Sequence, residues 1–311
     1  MDTPPSGHPA PPTDDRPRVL VVDDEAPLRS LLGRALEREG FAVVEATDAG
    51  TAVGRFRALA PSVTVLDLVL PDRDGISLLA ELKELDPGAA VIVVTGRGDE
   101  ETALRAGAVS FYRKPFLLPE LVQEVRRLAA WRVPAPRRAD AEGRVADRAP
   151  SAGVTRRISL STAEARDQSV IGALTLPLRA LLGEAGLLGV RIGIGEVITN
   201  AVEHGNLAIS AVEKEQALVE GRFAGLVASR LAVPANAAKR VWIESRAGDG
   251  ELRVTVRDEG AGFDWRALAA AEPGATLAGR GVLLARFHFD EVSWNERGNE
   301  VTLVKRIPGL G

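Results

Sequence analysis

The sequence predicts two α/β domains joined by a polar linker, and the first domain is a doubly wound sheet of five parallel strands. Three observations support this fold class. Five apolar runs alternate with amphipathic helical stretches in the first part of the chain, a pattern typical of a parallel sheet with helices on both faces. The length of 311 residues suits two domains better than one. A polar, proline-bearing segment, residues 132–153, separates the two halves.

The first domain, residues 16–131, contains the five apolar runs. We expect its strands to end near Val22, Glu45, Asp67, Val94 and Tyr112. The stretches between them place apolar residues at helical spacing, so each strand is followed by a helix. In sheets of this kind, ligand sites lie at the carboxyl ends of the strands. Polar residues at these strand ends are therefore the first candidates for function.

Acidic, hydroxyl and lysine side chains lie at four of these strand ends. Asp23 and Asp24 follow the first strand, Asp67 the third, Thr95 closes the fourth and Lys114 follows the fifth. Carboxylates held together repel one another unless a divalent cation lies among them. An Asp-Asp pair alone is also compatible with a helix N-cap, and a lone Thr or Lys with a structural role. Five such residues in this order favour a site for Mg²⁺ and a phosphoryl group.

Residues 16–131 resemble the receiver domain of bacterial response regulators, which has a flavodoxin-like fold. The resemblance implies that Asp67 is the phosphoacceptor and that Thr95 and Lys114 contact the phosphoryl oxygens. It implies that Tyr112 is the switch aromatic and that the Lys114-Pro115 bond is cis. The implied magnesium ligands are Asp23, Asp24, Asp67 and the backbone carbonyl of Val69.

The segment between Thr95 and Lys114 departs from this family, because it is about three residues short and should cost the fourth helix almost one turn. A receiver dimer that forms through this fourth helix is therefore not expected. Since the linker is too polar and proline-bearing for a rigid helix, we expect signal transfer by docking of the receiver domain on the surface of the second domain.

Composition excludes several classes of function. The chain has no cysteine, so disulfides, zinc-thiolate sites and thiol catalysis are excluded. A net charge of −4 argues against a broad nucleic-acid surface. No apolar run reaches the length of a membrane span, and the N-terminus has no signal-peptide pattern. We expect a cytoplasmic protein with a disordered tail over residues 1–15.

The second half contains a helix with two contrasting faces, followed by glycine-rich turns. Ile194, Val197, Ile198, Ala201 and Val202 form an apolar stripe. Glu196, Thr199, Asn200 and Glu203 share the other face, which is either solvated or functional. A predicted strand then ends in Asp258-x-Gly260-x-Gly262, where an aspartate can accept from an exocyclic amine or simply cap a hairpin loop. A turn at Gly279-Arg280-Gly281 leads into another helix and is a natural phosphate cradle.

In this order, these segments resemble the N, G1 and G2 boxes of the GHKL ATPases, and within them the anti-sigma-factor serine kinases. The likeness covers residues 154–311, an α/β sandwich with an inserted helical segment at about 206–240. It implies that Glu196 is the general base, Asn200 binds Mg²⁺ and Asp258 reads the adenine of ATP. The residues implied to shape the pocket, its lid and the phosphate contact are Gly260, Gly262, Gly279, Gly281 and Arg280.

The expected function is a two-component signalling protein in which phosphorylation of Asp67 regulates an ATP-dependent serine/threonine kinase. The three histidines, His8, His204 and His288, lie in the tail or inside the ATPase, which disfavours a histidine kinase. The expected partners are an upstream histidine kinase or phosphotransfer protein, a STAS-type antagonist or sigma factor, and a second copy through the ATPase domain. A non-catalytic ATP-dependent switch and a histidine-kinase-like output acting in trans stay open as alternatives.

Overall fold

The computed structural model describes residues 15–96, 100–132, 154–167, 169–175, 178–266 and 280–307. The predicted tail up to residue 14, the predicted linker beyond Arg132 and the predicted site residue Gly279 lie outside these ranges. No helix in the described ranges is both long enough and apolar enough to cross a bilayer.

The first domain is built on five parallel strands in the order β2-β1-β3-β4-β5. The strands are β1 (Arg18–Val22), β2 (Ala42–Ala46), β3 (Val63–Leu66), β4 (Val91–Thr95) and β5 (Ser110–Arg113). The apolar residues of β1, β3, β4 and β5 are buried almost completely, which is typical of a parallel sheet covered on both faces, whereas the edge strand β2 is mostly half-buried. The predicted doubly wound, flavodoxin-like sheet is confirmed.

Five helices cover this sheet. They are α1 (Ala26–Arg38), α2 (Ala49–Leu59), α3 (Gly75–Leu85), α4 (Glu100–Arg105) and α5 (Leu118–Arg132). α1 contacts α5, and α2 contacts α3. Asp48 and Asp74 cap α2 and α3 by accepting hydrogen bonds from free backbone N–H groups of the first turn. α4 has six residues, in agreement with the shortened segment that the sequence indicates.

The parallel ladder continues one residue beyond the strands and positions the acidic residues. The Asp67 N–H donates to the Val22 carbonyl at 2.8 Å, and the Asp23 N–H donates to the Ala46 carbonyl at 3.1 Å. Both aspartates are therefore held by backbone hydrogen bonds at one edge of the sheet. The Lys114-Pro115 bond is cis, as the sequence predicts.

The second domain has an antiparallel sheet in the order β6-β7-β8-β10-β9. Its strands are β6 (Val154–Ser161), β7 (Arg240–Gly248), β8 (Glu251–Arg257), β9 (Glu291–Trp294) and β10 (Glu300–Arg306). Leu252, Val254 and Val256 alternate along β8 and are buried, as their period of two predicts. This sheet fits the predicted GHKL-type domain.

Helices pack on one side of this sheet or form the predicted insertion. They are α6 (Ser169–Thr175), α7 (Arg179–Asn200), α8 (Ala211–Val219), α9 (Phe223–Leu231), α10 (Pro234–Ala237) and α11 (Arg280–His288). α7 contacts α11, β8 and β10, while α8, α9 and α10 occupy the insertion at about 206–240. α7 is interrupted at Gly183, where φ is 62°, and it continues at its end into a π turn, Ala201–Asn206.

The two domains contact each other through an apolar surface. Leu188 and Ile192 of α7 and Leu284 of α11 are buried in the same apolar cluster as the core of the first domain. Arg191 reinforces the contact, because its guanidinium donates to the Trp131 carbonyl of α5 at 3.1 Å. The sheet edge with the aspartates and the second domain are thus connected through β5 and α5.

Candidate functional site

The first candidate site is the cluster of acidic residues around Lys114. The Lys114 ammonium donates to Asp67 Oδ2 at 2.7 Å, Asp23 Oδ2 at 2.9 Å and Glu25 Oε1 at 2.9 Å. Carboxylate oxygens of Asp23, Glu25 and Asp67 lie within 4.8 Å of one another. One lysine thus faces three acids, and the cluster keeps a net negative charge that suits a divalent cation.

The acid that joins Asp23 and Asp67 in this cluster is Glu25, which the sequence analysis did not select. The side chain of Asp24 is exposed and is not a member of the cluster. Asp23, Asp24 and Glu25 are consecutive and follow the end of β1. Strand alternation therefore does not determine which of their side chains turns toward Asp67. The role of Asp24 as a magnesium ligand stays a prediction.

The other predicted receiver residues surround Asp67. The Val69 N–H donates to Asp67 Oδ1 at 3.0 Å, which places the Val69 backbone beside the carboxylate. Thr95 is fully buried at the end of β4, and its carbonyl accepts from the Lys114 N–H at 2.9 Å. Tyr112 is buried on β5, two residues before Lys114, and its hydroxyl donates to the Glu120 carbonyl at 3.2 Å.

Burial and charge set the protonation of this cluster. Burial is the largest influence on Asp23 and raises its pKa above the usual value, although the hydrogen bonds from Lys114 and the Glu25 N–H act in the other direction. Burial alone would lower the pKa of Lys114, but its hydrogen bonds to Asp67, Glu25 and Asp23 raise it well above the usual value. Lys114 is therefore a permanent positive charge. The oxygen donors around it fit Mg²⁺, which prefers carboxylates, carbonyls and water.

The second candidate site lies where β8 ends. Asp258 is 9% exposed, and its Oδ1 accepts from the Gly260 N–H at 2.7 Å. Burial raises the pKa of Asp258 to about 6, against weaker opposing effects of the Gly260 hydrogen bond and of Lys239. The carboxylate is thus held in a protected position, where a hydrogen bond to a ligand amine would replace lost hydration.

The loop after Asp258 is fixed by side chains that the sequence analysis did not select. Arg297 donates to the Gly260 carbonyl at 3.0 Å, and Asn299 donates to the Asp258 carbonyl at 2.9 Å. Asn206 accepts from the Glu259 N–H at 2.9 Å. Gly262 has a φ of 83°, and a Cβ there would collide with the Arg297 carbonyl, so this turn requires glycine.

Glu196 and Asn200 lie four residues apart on α7 and therefore on the same face of the helix. Asn200 is half-buried at the junction with the π turn, a helix distortion frequently found at functional sites. Glu196 is 7% exposed and accepts from the Arg127 guanidinium at 2.5 Å. The sequence left this helix face either solvated or functional. Glu196 is covered by the first domain, so its part of the face is not solvated.

The charges around Glu196 determine its ionisation. Burial would raise its pKa, but the charges of Arg127 and Arg280 and the Arg127 hydrogen bond outweigh it, so the pKa of Glu196 lies below the usual value. Gly281 allows this crowding, because a Cβ there would lie 2.5 Å from Glu196 Oε2. In the described arrangement Glu196 is an ion-paired carboxylate.

Arg280 points to the first domain. Its guanidinium donates to Ser110 Oγ at 2.9 Å and lies 4.2 Å from the centre of the Tyr112 ring. The family resemblance implies a contact of Arg280 with nucleotide phosphates instead. Sequence spacing could not reveal this partner, because Ser110 is 170 residues earlier in the chain.

Comparisons with known proteins agree with the two folds. Residues 19–126 match the response regulator receiver domain family, and residues 161–305 match the histidine kinase-like ATPase domain family. The chemotaxis protein CheY of Halobacterium salinarum is 38% identical over 111 residues, which cover 35% of this chain and 92% of that protein. CheY of Thermotoga maritima is 33% identical over 116 residues, which cover 36% of this chain and 97% of that protein. The chain belongs to the response regulator family.

In this response regulator, a histidine kinase-like ATPase domain of the GHKL type follows the receiver domain. The transcriptional regulatory protein TrcR of Mycobacterium tuberculosis is 40% identical over 133 residues, 42% of this chain. The match covers about half of TrcR, 52% of its length. The receiver domain supports two-component signalling and implies an upstream phosphodonor such as a histidine kinase. The second domain supports ATP binding.

Proposed function

We propose that this response regulator is a phosphorylation-controlled, ATP-dependent serine/threonine protein kinase of the anti-sigma type. Its receiver accepts a phosphoryl group on Asp67 in the presence of Mg²⁺ held by Asp23, Asp24, Asp67 and the Val69 carbonyl. The observation that most supports the proposal is the Lys114 cluster on the same chain as a GHKL-type domain with a buried Asp258. The substrate is a serine or threonine of a STAS-type antagonist or of a sigma factor.

The proposal assigns a residue to each step of the receiver reaction. An Asp67 oxygen attacks the phosphorus of the donor, the bond to the leaving group breaks and an acyl phosphate forms. Lys114 neutralises charge that develops on the phosphoryl oxygens, and a magnesium ion held by the acidic residues would add to this neutralisation. Thr95, at the neighbouring strand end, contacts the same oxygens. In the second domain, Asp258 would accept a hydrogen bond from the adenine amine of ATP, and Asn200 would hold Mg²⁺. Glu196 takes the proton of the substrate hydroxyl.

The histidine positions favour a serine or threonine substrate over autophosphorylation on histidine. Nδ1 of His204 lies 2.6 Å from the Ile209 carbonyl inside the ATPase domain. His288 is packed near Val109 at the contact of the two domains. Neither histidine lies on a helical hairpin ahead of the ATPase domain.

Transfer of label from γ-labelled ATP to a purified STAS-type antagonist tests this function. The full chain with Mg²⁺ and beryllofluoride should give acid-stable label on the antagonist. Asn200→Ala should lose magnesium-dependent ATP binding, whereas Glu196→Gln should keep binding and lose transfer. Acid-labile label would indicate a histidine product and contradict the proposal.

A non-catalytic ATP-dependent switch is the second candidate, and one observation favours it. Glu196 is ion-paired with Arg127, so the described arrangement holds no general base ready for catalysis. ATP binding that changes partner affinity without any transfer of label would select this candidate.

A further inference from the structure

We propose that β5 and α5 of the receiver form a docking surface for the ATPase domain, and that Arg127 on this surface holds Glu196 out of catalysis until Asp67 is phosphorylated. This inference rests on the proposed function, because Glu196 is the proposed general base. The occupant of the ATPase surface is the receiver of the same chain, which lies on it in this structure. The docked state is therefore the inactive state.

The first support is a chain of alternating charges that crosses the domain contact. Arg127 of α5 lies 2.5 Å from both Glu124 of the receiver and Glu196 of the ATPase domain. Arg280 of α11 lies 3.8 Å from Glu124 on its other side. Each domain thus contributes one acid and one base, and each acid lies beside a base of the other domain. Such complementarity fixes the docking register more than it adds affinity.

The second support is the contact between Arg280 and the receiver strand β5. The guanidinium of Arg280 lies over the Tyr112 ring and donates to Ser110, both on β5. Arg280 begins α11, next to Gly281, which lies against the Glu196 carboxylate. The receiver therefore contacts both the proposed base and the start of α11, which carries the proposed phosphate ligand Arg280.

The docked state also contains features that favour release. Glu124 Oε1 and Arg127 Nε are buried and have no protein hydrogen-bond partner within the described residues. Buried polar atoms without partners oppose association. A modest change on the receiver side is then sufficient to shift the equilibrium between docked and undocked states, provided that it favours one state over the other.

The phosphorylation site is directly connected to this surface. Lys114 contacts Asp67, and its backbone N–H donates to Thr95, while Tyr112 lies two residues earlier on the same strand. A phosphoryl group on Asp67 competes for Lys114 and Thr95 and so displaces the end of β5. Movement of Tyr112 removes the contact of Arg280, which weakens docking and releases Glu196 from Arg127.

Distance measurement between two spin labels tests the docking directly. The natural chain has no cysteine, so cysteines introduced at the exposed residues Glu37 and Glu215 are the only labelling positions. We expect one narrow distance distribution in the unphosphorylated full chain and a broad one after addition of beryllofluoride. Mg²⁺-ATP affinity should rise in parallel by about 5- to 150-fold, the usual range of allosteric coupling.

Arg127→Gln should give the broad distribution without beryllofluoride. Arg126→Gln is the matched control, because Arg126 is the exposed neighbour on α5 and pairs with Glu39 inside the receiver. Glu196→Gln breaks the same ion pair from the ATPase side and should also broaden the distribution, so the test does not depend on the folding of the Arg127 variant.

Two results separate this inference from the proposed function. Release by beryllofluoride without phosphorylation of any antagonist would support the docking surface and contradict the kinase. The opposite result is kinase activity that responds to beryllofluoride while all variants keep one narrow spin-label distance distribution. This result would overturn the docking surface and leave the proposed kinase function intact.

Discussion

Lys114 competes with Mg²⁺ for the acidic cluster of the receiver, and its replacement should tighten magnesium binding. The lysine Nζ lies 2.7–2.9 Å from oxygens of Asp67, Asp23 and Glu25. Lys114→Gln removes this charge and keeps most of the side-chain volume. The three carboxylates then repel one another without compensation. Magnesium should relieve more repulsion in the variant than in the natural protein.

The magnitude follows from the geometry of the cluster. Two unit charges 4.8 Å apart, the upper limit for the separation of these oxygens, repel by about 3.5 kcal/mol at an effective dielectric constant of about 20. Glu25 is 61% exposed, so water screens its share, whereas Asp23 and Asp67 are buried. If magnesium relieves about 40% of the Asp23–Asp67 repulsion, the gain is about 1.4 kcal/mol. This gain corresponds to a tenfold lower Kd.

Isothermal titration of the full chain with MgCl₂ measures this effect. We expect at least about a tenfold lower Kd for Lys114→Gln and no change for Lys83→Gln. Lys83 is a suitable control because it is a half-buried receiver lysine whose ammonium donates to the Ala89 carbonyl. An unchanged or weaker magnesium affinity in Lys114→Gln would refute the view that this lysine and the metal share the same oxygens.

Three further predictions concern phosphorylation, the ATP site and the domain contact. Incubation with acetyl phosphate and Mg²⁺ should add one phosphoryl mass to the full chain and none to Asp67→Ala; uptake by the variant would show another acceptor. The folded pKa of Asp258, about 6, exceeds its ordinary 3.8, so its contribution to stability is present at low pH and lost as the pH rises through 6. Asp258→Asn should therefore raise the melting temperature more at about pH 7.5 than at about pH 5 and abolish ATP binding; an equal shift at both pH values would contradict this. Burial lowers the pKa of His288 from its ordinary 6.5 to about 4. Docking should therefore be strongest above pH 6.5. As the pH falls below 6.5, the docking equilibrium should weaken by up to about tenfold per pH unit. The charged groups that influence His288 are Lys305, Glu196 and Lys83. His288→Gln should flatten this dependence in the spin-label distances, and an unchanged pH profile would refute it.

The fold was predictable because its signals are local. Apolar runs with periods of two and 3.6 define the strands and helices, and the alternation of elements defines the parallel sheet. The short α4 followed from counting residues between Thr95 and Lys114. The approach of Asp23, Asp67 and Lys114 also followed, because parallel strands bring their carboxyl ends to one edge.

Details of the sites depend on contacts that sequence spacing does not contain. The selection of Glu25 over Asp24 is decided by the turn after β1, where strand alternation no longer applies. Glu196 has the spacing of an outer helix face, yet it is buried because Arg127 of another domain lies against it. Likewise, Arg280 has the position of a phosphate ligand but contacts Tyr112. Sequence spacing therefore could not reveal the residues that join the two domains.

Regulation of the ATPase domain through Asp67 is tested most directly by phosphoryl transfer in the full chain. Transfer from Mg²⁺-ATP to a STAS-type antagonist should be compared with and without beryllofluoride, in the natural protein and in Asp67→Ala. We expect beryllofluoride to raise the rate in the natural protein, within about 5- to 150-fold, and to leave Asp67→Ala at its basal rate. Equal rates in the natural protein with and without beryllofluoride would contradict the coupling between the two domains.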